Sequence, residues 1–197
     1  MTRLSHEERR REIVLGAMRA FARSGFRGTR SRDLAAAAGV SEALLFKHFP
    51  TKKALQTAII EERIRQAGRF LSDDVRQAPV AKALEAVAVR ILGSADRDPT
   101  FMRLLYFAGL EGESLGPIFF RRRVSRTVEE LADLVRIWIR KGWVRRSVDP
   151  RAFAWCFMGG LFQLVVVRSL FGVKRVAAGR GELAALVVDL FLRGLRP

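Results

Sequence analysis

A chain of 197 residues that is 49% hydrophobic and 28% charged is long enough to bury a full core and too apolar to be intrinsically disordered. Its net charge of +16 points to a polyanionic partner or an anionic surface, but the excess is spread: residues 1–50 hold ten Lys/Arg and five Asp/Glu, a net of +5, which leaves +11 for the rest. The lone Cys156 excludes an intrachain disulfide, the charged start MTRLSHEERRRE lacks the apolar stretch of a secretion signal, and a cytoplasmic protein is expected.

Ser5-His6-Glu7-Glu8 has the form of a capping box and opens a helix. Its apolar stripe is Ile13, Val14, Ala17, Met18, Phe21 and Ala22, with Arg9, Arg10, Arg11, Arg19 and Arg23 opposite and Gly25 placed to end it. Ser31 to Ala38 reads as a short helix, Gly39-Val40 as a tight turn, and Ser41 to His48 as a second short helix. Phe49-Pro50 breaks the chain, and Thr51 caps a helix from Lys52 to about Ser72.

Val80 to Ala95 suggests a further helix, and Asp98-Pro99 starts one that ends near Gly109. Gly116-Pro117 opens a long helix reaching Trp138 and Ile139, with Gly142 beyond its end. Asp149-Pro150 repeats the cap-then-proline signal, and a final helix lies between roughly Gly181 and Arg193. No apolar run has strand character. The expected fold is all-α with about nine helices.

The run Ala152 to Val167 is shorter than the roughly 20 residues that a bilayer span requires and contains Gln163, so a core helix is expected and no membrane partner. A run so uniformly apolar needs burial on nearly all sides, and Gly159-Gly160 admits another backbone. Together with the last helix it is read as a homodimer interface, with Trp155, Gly159, Gly160, Val187, Leu190 and Phe191 as candidates.

Two helices as short as Ser31–Ala38 and Ser41–His48 cannot stand alone, because nucleation costs more than so few hydrogen bonds return. They suit a helix-turn-helix, in which one helix braces the other in the major groove. Ala35 to Ala38 supply small residues at the crossing, Gly39 the turn, Val40 a plug, and Leu45 and Phe49 the buried side. Two histidines, one cysteine and no metal spacing, phosphate loop or nucleophile motif argue against an enzyme, and no cofactor is expected.

The pattern Gly25-Phe26, Thr29, Leu34-Ala35, Ala38-Gly39-Val40-Ser41, Leu45-Phe46-Lys47-His48-Phe49, Lys52, Leu55 resembles the DNA-binding domain of TetR-family transcriptional repressors. The resemblance covers about the first 55 residues; beyond them the chain matches only in length and helical character. It implies a helix-turn-helix DNA-binding domain over 1–55 and a helical ligand-binding and dimerisation domain over 56–197. The implied function is a ligand-responsive repressor that binds a palindromic double-stranded DNA operator as a homodimer and is released by a small, largely apolar effector.

Carried over position by position, the resemblance puts Ser31 on phosphate and Arg32 on phosphate or a guanine edge. Ser41, Glu42, Ala43 and Leu44 face phosphates and bases, and Lys47, His48 and Lys52 face the backbone. Phe46 stands where the family usually has tyrosine, so a hydroxyl contact is missing, and Leu44 offers only apolar contact, such as to a thymine methyl. Glu42 either accepts from cytosine or is an acid at a helix start. Arg9 to Arg11 are either a solvated face or a source of nonspecific attraction. Candidate effector contacts are Phe101, Met102, Leu105, Phe107, Phe119, Trp138 and Phe162, with Arg103 as a partner for an anionic group, each weighed against a plain core or solvent role. The rival reading is a nonspecific architectural nucleic-acid-binding protein that uses the +16 charge.

Overall fold

The computed structural model describes residues 5–97, 99–173 and 179–195, with side chains described outside 94–97. Its elements are α1 (His6–Gly28), α2 (Ser31–Ala38), α3 (Glu42–His48), α4 (Lys52–Ala67), α5 (Asp73–Gln77), α6 (Val80–Arg97), α7 (Pro99–Leu110), α8 (Leu115–Phe119), a π-helical turn (Phe120–Val124), α9 (Ser125–Arg140), α10 (Pro150–Leu170) and α11 (Arg180–Leu195). Among the described residues no strand occurs, so the fold is all-α.

The helix ends follow the local chemistry. Ser5 and Glu8 form the reciprocal cap, Ser5 N donating to Glu8 Oε2 at 2.8 Å and Glu8 N to Ser5 Oγ at 3.2 Å. Gly25 breaks α1 at φ +70°, and one further turn carries the chain to Gly28. Asp149 accepts from Ala152 N at 2.6 Å with Pro150 as the first residue of α10. The cap expected at Asp98 lies outside the described residues.

Three expectations need correction. α4 stops at Ala67, short of Ser72, because Gly68 takes φ +58°. The long helix expected from Gly116 is α8, a π turn and α9 in succession, and the short α5 had not been expected. α10 has 21 residues and is the described helix long and apolar enough to cross a membrane, so length does not argue against a span. Nor is it buried on nearly all sides: Phe153, Ala154, Phe157, Leu161, Val165 and Val166 are buried, whereas Trp155, Phe162 and both glycines are exposed.

The chain forms two compact units, residues 1–68 with 100–122, and residues 69–99 with 123–197. The first unit packs α1, α2, α3 and α4 around Ile13, Phe21, Leu34, Leu45, Leu55 and Ile59, and α7 and α8 add Leu104 and Leu115 to the same cluster. In the second unit α6 packs on α10 and α11, and α9 on α10. Trp138, Leu84 and Leu131 are buried there, and Phe157 lies 5.8 Å from Phe153 and 5.1 Å from Phe191 between ring centroids.

Candidate nucleic-acid interface

α2 and α3 are joined by Gly39 at φ +66° and ψ +34°, a left-handed conformation that glycine reaches without a Cβ penalty. Its N–H donates to Ala36 O at 3.1 Å, and Val40 N donates to Ala35 O at 3.0 Å, closing the turn. Ser41 then starts α3, its Oγ accepting from Leu44 N at 3.2 Å. Leu45 and Phe49 anchor the inner side, each 2% exposed. Behind α2, a Cβ on Gly16 would lie 2.6 Å from Ala37 O, so α1 and α2 touch backbone to backbone.

What remains outside is the face expected to meet DNA. Ser41, Glu42, Ala43, Phe46 and Lys47 are exposed, Leu44 is half-buried, and Glu42/Phe46 and Ala43/Lys47 are neighbours one turn apart. On α2, Ser31 is half-buried and Arg32 is exposed, with only a loose 3.8 Å approach to Asp33. Asp33 is engaged as a cap, accepting from Arg30 N at 2.9 Å. The structure thus brings together Arg32 and the outer face of α3.

Three cations brace this unit by sitting on helix C-terminal carbonyls, where the helix dipole favours positive charge. Arg10 donates to His48 O at 3.2 Å and lays its guanidinium 4.2 Å from the Phe49 centroid. Arg19 donates to Ala37 O at 3.3 Å. Lys52, expected on the DNA backbone, has its Nζ on the carbonyls of Thr29 and Phe26 at the end of α1. Arg9 pairs with Glu12 at 2.9 Å, and Arg11 is exposed.

His48 is half-buried, its ring tilted by 35° against that of His6 at 4.5 Å between centroids, and its Nδ1 is buried with no hydrogen-bond partner among the described residues. Burial, followed by the charges of His6, Arg10, Lys47 and Arg9, holds its imidazole below the usual histidine range. At neutral pH it is therefore uncharged. A neutral imidazole offers a phosphate a hydrogen bond but no ion pair.

Sequence reasoning missed two supports. Glu111, in the turn after α7, accepts from Phe26 N at 2.8 Å and Arg27 N at 3.2 Å, capping the last turn of α1, while Arg27 donates back to Glu111 O at 3.2 Å. Gln56 donates to Glu113 at 3.2 Å from α4. Nothing local marks Glu111 for this task. Gly16 did carry a signal, an isolated glycine inside a helical pattern.

The candidate effector residues divide between the units. Phe101 and Met102 are buried in the first, where Phe101 meets Phe119 edge-on at 5.0 Å; Leu105, Phe107 and Phe119 are half-buried there, and Arg103 is exposed. Trp138 is core in the second unit, and Phe162 lies on the exposed face of α10. Of the candidate interface residues, Trp155, Gly159, Gly160 and Leu190 are exposed, Val187 is half-buried, and Phe191 turns inward to Phe153 and Phe157.

Residues 13–59 match the model for bacterial regulatory proteins of the tetR family. The chain is 31% identical over 150 residues to the nucleoid occlusion factor SlmA of Marinobacter nauticus, covering 74% of each protein. To the regulator RutR of Escherichia coli it is 27% identical over 147 residues, 73% of this chain and 67% of RutR. Among solved structures, AibR in complex with isovaleryl coenzyme A and operator DNA superposes with a TM-score of 0.70 at 22% identity, over 96% of this chain and 99% of AibR.

Proposed function

Because the chain belongs to the TetR family of bacterial regulatory proteins, we propose that it is a ligand-responsive repressor that binds a palindromic operator as a homodimer and is released by a small, largely apolar effector. It acts on the chromosome in the cytoplasm. The observation that carries the DNA reading is the outer face of α3: a seven-residue helix, fixed at its start by Ser41 and at its end by Arg10, with Ser41, Glu42, Ala43, Phe46 and Lys47 turned outward.

Within that reading, residues 1–55 are the DNA-binding domain and residues 56–197 the ligand-binding and dimerisation domain, with α7 and α8 of the latter docked on the former. Arg32 and Lys47 contact phosphate, Glu42 and Ala43 approach base edges, and Phe46 and Leu44 meet sugar or thymine methyl groups. Lys52 and Arg10 act from behind, by fixing α1 and α3. The exposed α10–α11 surface, with Trp155 and Leu190, supports the homodimer. For the effector, AibR's coenzyme A ester supports a small-molecule ligand, and the half-buried Leu105, Phe107 and Phe119 are the lining that the first core leaves partly open.

Footprinting of the protein on DNA upstream of its own gene tests this reading. A discrete protected palindrome with half-sites about 34–36 Å apart is expected. Continuous coverage would favour the nonspecific architectural protein and sink the regulator. Replacing Arg32 and Lys47 together by alanine is expected to weaken binding at every sequence and to reduce its salt dependence; unchanged affinity would overturn the residue assignments.

A further inference from the structure

The segment that leads into α2 is held from two sides within the first unit. Gly25 interrupts α1 at φ +70°, and just beyond it the amides of Phe26 and Arg27 both donate to Glu111 Oε2, at 2.8 and 3.2 Å. A Cβ on Gly25 would strike the Glu111 carboxylate and stand 3.4 Å from Phe107 Cδ1, so the angles and the space both require glycine. The turn that carries Glu111 is anchored in its own right. Arg27 Nη2 donates to Glu111 O at 3.2 Å, and Gln56 Nε2 on α4 donates to Glu113 at 3.2 Å. From the other side Lys52 Nζ lies on the carbonyls of Phe26 and Thr29, and Thr29, 1% exposed, donates its Oγ1 proton to Gly25 O.

What this arrangement fixes is the start of α2. Arg30 O accepts from Asp33 N at 3.0 Å and from Leu34 N at 3.2 Å, so the first turn of α2 grows directly from the residue after Thr29. Arg32 follows two residues later, exposed. The other parts of the motif are set elsewhere: the end of α2 by Gly16 against Ala37, and α3 by the Ser41 cap and Arg10. Without the Glu111 carboxylate two amides lose their acceptor, and the last turn of α1 is freed with the start of α2 attached to it.

We propose that Glu111 is a positioning residue for DNA binding, which sets where Arg32 meets the duplex by holding the amides of Phe26 and Arg27. The proposal rests on the DNA-binding reading above and deepens it. A guanidinium matches phosphate oxygens in a fixed fork, so its contact depends on where the backbone that bears it stands. Glu111 acts through Arg32, and its effect is bounded by what Arg32 contributes.

A double-mutant cycle on the full chain tests it, with binding to the footprinted duplex followed by fluorescence anisotropy. Arg32→Ala is expected to weaken binding about tenfold or more, and Glu111→Ala about fivefold with unchanged far-UV circular dichroism. In the Arg32→Ala background Glu111→Ala should lose less than about twofold, whereas in the Lys47→Ala background it should again lose about fivefold, because α3 is held independently. Glu111→Gln keeps an acceptor oxygen and should recover most of the loss. Glu111→Asp keeps the charge with a shorter reach, and the same cycle is read on it if the alanine variant fails to fold. Equal losses in all backgrounds would make Glu111 a support of the whole unit and overturn the proposal, as would unchanged affinity in Glu111→Ala. The cycle is repeated on a random-sequence duplex at low salt, where phosphate contacts alone support binding. A missing palindrome would then remove the regulator reading and leave that duplex to decide the role of Glu111, and absence of binding to either duplex would overturn both.

Discussion

Two surfaces of this chain present large apolar side chains to water, and they are built in opposite ways. On α3 a single ring, Phe46, stands among Ser41, Glu42, Ala43 and Lys47, on a helix of seven residues capped at its start by Ser41 and held at its end by Arg10 of α1. On α10 and α11, helices of 21 and 16 residues, Trp155, Phe162, Leu186 and Leu190 are all exposed, and Gly159 and Gly160 face open space. A surface that reads a duplex needs few side chains placed accurately, so rigidity is imported from neighbours. A surface that meets its own copy needs area, because each large apolar side chain covered contributes about 1.5–3 kcal/mol.

The largest expected effect comes from breaking the second surface. Leu186→Asp with Leu190→Asp, both exposed, should leave helicity intact, give a monomer in sedimentation, and lower operator affinity by about a hundredfold or more through loss of bivalent engagement. A dimer that survived both charges would end the contrast. A glycine pair sharpens it. Gly16→Ala drives a Cβ against the α2 backbone, 2.6 Å from Ala37 O and 2.7 Å from Ala38 Cα, and should cost about 1–3 kcal/mol in urea unfolding at fixed protein concentration. Gly159→Ala meets nothing and should raise the stability of the chain by up to about 1 kcal/mol through helix propensity. The same change should weaken dimerisation, and equal behaviour of the two variants would show that the faces are not different.

How far each surface was legible follows from the range of the chemistry that makes it. α2 matched its expected bounds and α3 began one residue later, because their limits are set within a few residues by Ser41, Gly39 and the Phe49-Pro50 step. Lys52 shows where this runs out. A lysine four residues past α3 suits a DNA phosphate or a helix carbonyl equally well, and only the fold places its Nζ on Thr29 and Phe26. Phe162, a candidate effector contact, lies on the exposed face of α10, which could not be read beforehand: a run with apolar residues all round has no phase, so the sequence could not say which side of α10 is inward. Phe191, a candidate for the dimer interface, packs against Phe153 and Phe157 of α10. The contribution of α7 to the first unit, through Glu111, joins residues 85 apart and leaves no local trace.

That long-range support gives a smaller effect that isolates the first surface. Glu111→Ala strips the acceptor from the amides of Phe26 and Arg27 and should cost about 1–3 kcal/mol, with faster hydrogen exchange at those two amides. Glu111→Gln keeps one acceptor oxygen and should lose less. If both variants exchanged like the wild type, the last turn of α1 would be held by Thr29 and Lys52 without help from α7.

The smallest expected effect is a pH dependence that belongs to the α3 side alone. Burial against α1, where His6 and Arg10 add positive charge and Lys47 and Arg9 contribute from nearby, keeps His48 below the histidine range it has when unfolded. Between those two pKa values the unfolded chain binds more protons, so stability must fall as pH is lowered through about 6.5 and level off once the folded imidazole also protonates. His48→Gln keeps a polar side chain of similar reach without titration, and it should flatten the dependence of the urea midpoint on pH between about 5 and 7.5. The α10–α11 surface carries no histidine, so the dimerisation constant of that variant should follow the wild type across the same range. An unaltered urea profile would sink the assignment of this pH dependence to His48 and would mean that its contact with the His6 ring is open enough for water to screen it.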